Sequence, residues 1–110
     1  MKKMNKVMKM QYEGFVKLKL ALSNSITLWS QNAFVLERCL AEGYPDVIIK
    51  DFSKNVDMCD MQSRLLYDKI CRFHDCYNFD KSDVDLLWNR TLKNLALCGV
   101  VRDKFLASDN

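Results

Sequence analysis

Three glycines and one proline in 110 residues leave few places where the chain can turn sharply. A sheet needs tight turns between alternating runs, and no Asn-Gly or Asp-Gly pair stands between such runs here. Helices joined by short connections are the expected fold. The spacing predicts an all-α, compact antiparallel bundle of four to five helices. At this length, and with 49% hydrophobic residues, a single helical domain over residues 1–110 can bury a core without metal or disulfide staples.

The first helix is predicted from about Met4 to Leu22. Met4, Met8, Gln11, Phe15, Leu18 and Leu22 recur at helical spacing, and Lys2, Lys6, Lys9, Glu13 and Lys17 fall opposite. Ser23-Asn24-Ser25 offers side-chain caps, so a second helix is expected from Ile26, with Ile26, Trp29, Ala33, Leu36 and Leu40 inward and Gly43 as its stop. Pro45 suits the first turn of a short third helix. Asn55 or Asp57 can cap the next, with Cys59, Gln62, Leu66, Ile70 and Phe73 on one face and an end near His74. Ser82 and Asp85 match a capping-box variant ahead of the last predicted helix, from Val84 to about Leu106, read as the longest and as the spine.

Five cysteines at positions 39, 59, 71, 76 and 98 form no CxxC pair or compact disulfide framework. A reducing compartment follows most simply, with Cys39, Cys59 and Cys98 as small apolar residues. No charged segment precedes a continuous apolar one, and no 18 consecutive residues are apolar, so a cytoplasmic location with no membrane partner is expected.

The segment CRFHDCYNFD, Cys71 to Asp80, holds the only histidine between two cysteines. Cys71, His74 and Cys76 are three possible zinc ligands within one helix end. A fourth is missing, because Cys59 lies about 18 Å back at 1.5 Å per residue. A Cys–His nucleophile would sit at a helix C-terminus, where the dipole disfavours a thiolate. A helix end explains more of the segment: Arg72 and His74 suit a last turn, Asp75 and Asn78 form turns, and Tyr77 and Phe79 can fold back on the core. No catalytic residue, cofactor or metal site is therefore assigned. Gly-rich phosphate loops, HExxH and GxSxG are absent, and Arg64 and Arg72 have the wrong spacing to His74 for the R-x4-6-H arrangement of helical ribonucleases.

The net charge of +3 is unevenly spread. Six lysines face Glu13 alone in residues 1–36, against 11 basic and 13 acidic residues thereafter. Lys2, Lys3, Lys6, Lys9 and Lys17 could contact phosphates, which makes a nucleic-acid-binding accessory protein the alternative function; without interleaved aromatics, a solvated lysine face is the plainer reading.

The last helix is apolar on two sides. Val84, Trp88, Thr91, Leu95 and Cys98 form its inward stripe, while Leu86, Leu97, Val100 and Val101 project elsewhere among Arg90, Lys93 and Lys104. Such a helix is either central in its bundle or covered by a partner, and an apolar patch rimmed by charge has the look of a protein interface. The expected function is that of a small intracellular regulator, inhibitor, adaptor or immunity-type factor acting by protein–protein interaction, with self-association through residues 83–106 as one form of it. A metal- or cysteine-dependent enzyme ranks third.

Overall fold

The computed structural model describes residues 5–108, with the side chains of residues 100, 101 and 104–108 outside that description. Three helices, rather than the four to five expected, account for nearly all of it: α1 (Lys6–Glu42), α2 (Asp46–Tyr77) and α3 (Ser82–Ser108). No strand occurs among the described residues. The all-α class stands and the helix count does not.

Two predicted breaks fail for the same reason. Ser23-Asn24-Ser25 does not cap a second helix, because the inward stripe runs on unbroken through Phe15, Leu22, Ile26, Trp29, Ala33 and Leu36, all buried. Instead Ser25 turns inward, and its hydroxyl meets that of Ser63 on α2 at 2.7 Å. Asn55 and Asp57 likewise start nothing, because Ile49, Ser53, Val56, Ser63 and Ile70 carry one buried stripe from the Pro45 turn to the end of α2. Local capping tendency loses to continuous burial of an apolar face.

The helix boundaries are set by caps. Asn5 caps α1, its side-chain oxygen accepting from the Met8 N–H at 2.8 Å. Gly43 ends α1 in the left-handed region, φ 68°, as its lack of a Cβ permits, and the Tyr44 N–H donates to the Cys39 carbonyl at 3.0 Å. Asn78 ends α2 in the same region, φ 56°, one turn beyond the expected end at His74, and its N–H donates to the His74 carbonyl at 2.7 Å.

The Ser82–Asp85 capping box does not form. The Ser82 N–H is satisfied by the Asp80 carboxylate at 3.0 Å, and Asp85 is drawn away to Lys81 and Tyr67. The longest helix is α1, with 37 residues against 27 for α3.

Cross-helix pairs fix the directions. Phe15 meets Phe73 and Ser25 meets Ser63, so α2 runs antiparallel to α1. Lys19 meets Asp83 and Glu37 meets Cys98, so α3 runs parallel to α1. Both neighbours lie against α1, which is the spine in place of the last helix. The α2 and α3 helices approach each other mainly through long side chains: Tyr67 stacks on Trp88 with 4.7 Å between centroids, and Arg102 reaches Asp57 at 2.7 Å. The result is a three-helix assembly drawn out into a rod of 58 × 20 × 20 Å. No described helix is long and apolar enough to cross a membrane.

Candidate functional site

The Cys71–Asp80 segment forms the end of α2 and the connection to α3. His74 is half-buried, and its Nδ1 lies 2.8 Å from the Phe79 carbonyl oxygen, which can only accept, so Nδ1 carries the proton. That bond ties the connection back to the last turn of α2. Phe79 is buried against Phe15, Tyr12 and Tyr77, which plugs the end of the rod with rings. Cys71 is half-buried and Cys76 exposed. Among the described residues, no three His, Cys, Asp or Glu side chains converge where a metal ion could be held.

Beside this end, Tyr67, Lys81 and Asp85 form a closed polar cluster. The Tyr67 hydroxyl donates to Asp85 at 2.6 Å, and the Lys81 ammonium donates to both carboxylate oxygens at 2.9 and 2.8 Å. Hydrogen bonds from Lys81 and then Tyr67 hold the Asp85 carboxyl below the usual carboxylate range. Burial, followed by the bond to Asp85, pushes the Tyr67 hydroxyl well above the usual phenol range. Each group satisfies the others, so the cluster fastens α3 to α2. Burial raises the thiols of Cys59 and Cys98, and the Glu37 carboxylate beside Cys98 adds to it, so both cysteines stay protonated and poorly nucleophilic near neutral pH.

The α3 helix separates its two apolar sides cleanly. Val84, Trp88 and Thr91 are buried and Leu95 and Cys98 half-buried, which makes the expected inward stripe. Opposite it, Leu86 is 62% and Leu97 75% exposed, with Arg90 and Lys93 exposed on the same line between them. The central-helix alternative is therefore excluded for these residues within a single chain. The side chains of Val100, Val101 and Lys104 lie outside the described residues.

Ion pairing engages some cations and leaves others, among them Lys54, Lys69 and the two on this face, without a carboxylate among the described residues. Lys19, Arg38, Arg64, Arg72, Lys81 and Arg102 each meet a carboxylate. Arg90 and Lys93 meet none among the described residues, and Leu86, Asn89, Arg90 and Lys93 border a shallow depression.

A neighbouring groove was not anticipated from the sequence. It runs between α1 and α3, with Ser30, Phe34 and Glu37 on one wall and Asn94, Leu97 and Cys98 on the other. Phe34 is 68% exposed. The signal was present, because Phe34 stands about 100° around the helix from Ala33, outside the inward stripe. A large aromatic off the stripe is an exposed one.

On α1, Lys6, Lys9 and Lys17 are exposed, as expected of a lysine back, whereas Lys2 and Lys3 lie outside the described residues. Val7, Met10, Val16 and Leu20 are exposed among them, so the face is mixed rather than a continuous cationic stripe. No family model matches this chain, nor does any curated protein or solved structure.

Proposed function

We propose that this protein acts by binding another protein through the outward face of α3 and the adjoining Phe34 groove, as a small regulator, inhibitor, adaptor or immunity-type factor of the cytoplasm. The observation that carries this reading is the pair of exposed leucines, Leu86 and Leu97, with two unpaired cations, Arg90 and Lys93, between them. Exposed leucines gain from removal from water, and the cations select for an acidic surface. The matching partner is apolar at its centre and carboxylate-bearing around it. A second copy of the same face is a poor match: an antiparallel pairing that sets Leu86 against Leu97 also sets Arg90 against Lys93, like charge on like.

The test compares two neighbouring leucines. Leu97→Asp should fold with the helicity and melting temperature of the parent, because exposed substitutions stay within about 0.5 kcal/mol, yet it should lose a partner that the parent captures. Leu95→Asp forces a carboxylate into the half-buried stripe at a cost of several kcal/mol and should unfold the rod. Circular dichroism and co-purification with the captured partner read both. If Leu97→Asp binds as the parent does, this face is not the interface. If binding instead disappears on Lys6→Glu/Lys9→Glu, and the captured molecule is a nucleic acid released by salt, the nucleic-acid alternative replaces it.

A further inference from the structure

The outward face of α2 carries a second exposed apolar line. Met58, Met61 and Leu65, spaced three and four residues apart, are 61%, 72% and 55% exposed. The same line continues through Lys54 and Asp51 on one side and Asp68 and Arg72 on the other, all exposed. We infer that this face pairs with itself: two copies of the chain join through antiparallel α2 helices about a two-fold axis beside Met61.

The charge order carries the argument. Lys54 lies seven residues before Met61 and Asp68 seven residues after it. A two-fold axis at Met61 therefore sets each Lys54 level with Asp68 of the second copy. Met58, three before, comes opposite Leu65, four after; Asp51, ten before, comes opposite Arg72, eleven after. Each match holds to within about one residue rise, 1.5 Å. The arrangement is apolar at the centre and oppositely charged at both flanks, the self-complementary pattern that a two-fold interface requires.

One register is favoured over its neighbours. Sliding the helices by about one turn in one direction brings Asp51 against Asp68 of the second copy, and in the other direction Lys54 against Arg72. Both slides set like charges together. From Asp51 to Arg72 the contact runs about 30 Å at 1.5 Å per residue. The face is also free to pair. Neither Lys54 nor Asp51 has an ion pair among the described residues, and the Asp68–Arg72 pair within the chain, 2.7 Å apart, has side chains 55% and 73% exposed. These charges can change partners without unburying anything. The contrast with α3 is direct, since its cations would repel in a self-pair. The two faces lie on different helices, so the paired molecule would leave both α3 faces open.

Sedimentation equilibrium of the full chain over a range of concentrations tests the inference, with circular dichroism of each variant. The parent should reach the mass of two chains as concentration rises. Met61→Glu should remain a single chain with unchanged helicity, because it sets two carboxylates together on the axis. Lys54→Asp and Asp68→Lys should each weaken pairing by about tenfold or more, and the Lys54→Asp/Asp68→Lys double variant, which restores opposite charges in reversed order, should recover it. Leu97→Asp should pair as the parent does. A parent that stays a single chain at every concentration overturns the inference. So does a Met61→Glu variant that still pairs, a double variant no better than the singles, or loss of pairing in Leu97→Asp.

Discussion

Three serines on the inner faces of α1 and α2 allow opposite outcomes from one substitution. Ser25 and Ser63 share a buried hydrogen bond of 2.7 Å, with Ser63 wholly buried. Ser53 is also buried, but its hydroxyl has no partner among the described residues. Replacing serine by alanine within a helix gains about 0.5 kcal/mol of helix propensity. At Ser25 or Ser63 that gain is outweighed, because the hydroxyl left behind is buried without its partner at a cost of about 1 to 3 kcal/mol. Each single variant should therefore lose about 1 to 2 kcal/mol, which at about 4–8 °C per kcal/mol is a fall of several degrees in melting temperature. The Ser25→Ala/Ser63→Ala double variant leaves no orphan. It gives up a bond worth about 1 kcal/mol net and gains about as much in propensity, so it should melt close to the parent. Ser53→Ala should melt higher, since it removes an unsatisfied hydroxyl and improves the helix together. Thermal and urea unfolding of the four variants gives the coupling between Ser25 and Ser63 directly, expected at roughly 2 to 4 kcal/mol. Singles that are neutral and add without coupling would refute the reasoning: each remaining hydroxyl would then be satisfied by a carbonyl one turn back on its own helix.

Removing the side chain in His74→Ala costs the bond to the Phe79 carbonyl and should lower stability by about 1 kcal/mol while leaving partner binding intact; stoichiometric zinc in protein purified without added metal would overturn this purely structural role. Because the Asp85 carboxyl is held below its ordinary range in the folded chain, it contributes stability that is complete above the unfolded pKa of about 3.9 and is lost as pH falls through the lower folded value. Asp83, lowered chiefly by its bond from Lys19, acts in the same direction, so stability should drop on acidification below about pH 4, and Asp85→Asn should make that drop shallower. Gly43→Val should destabilise by about 1 kcal/mol or more through backbone strain alone, since nothing stands within 4 Å of where its Cβ would go; Gly43→Asn should be milder in the same melting assay.

Legibility from sequence divides along physical lines. Gly43 was readable because a left-handed backbone is a local property that glycine meets without strain. The serines at 23–25 were misread because a cap and a buried partner use the same hydroxyl, and what chose between them was Ser63, 38 residues away. Asp85 failed as a capping residue for the same reason, since Tyr67 and Lys81 compete for it in space. On α3, spacing alone separated Leu95 from Leu97, and their burial differs accordingly. Phe34 and the Met58–Met61–Leu65 line obey the same 3.6-residue period as the inward stripes and stand off them, so their exposure follows from spacing as well.

The rod shape governs how this molecule moves through water. Its radius of gyration is 17.6 Å, against about 13 Å for a globular domain of this length, so one chain meets more friction than a sphere of 12.9 kDa. On a sizing column it would leave early and pass for a larger particle, even as a single chain. Joining two rods side by side along α2 would add girth faster than length, bringing the pair nearer to a sphere and raising its drag by less than the doubled mass suggests. Elution volume thus compresses the difference between one chain and two, whereas sedimentation equilibrium weighs them without regard to form.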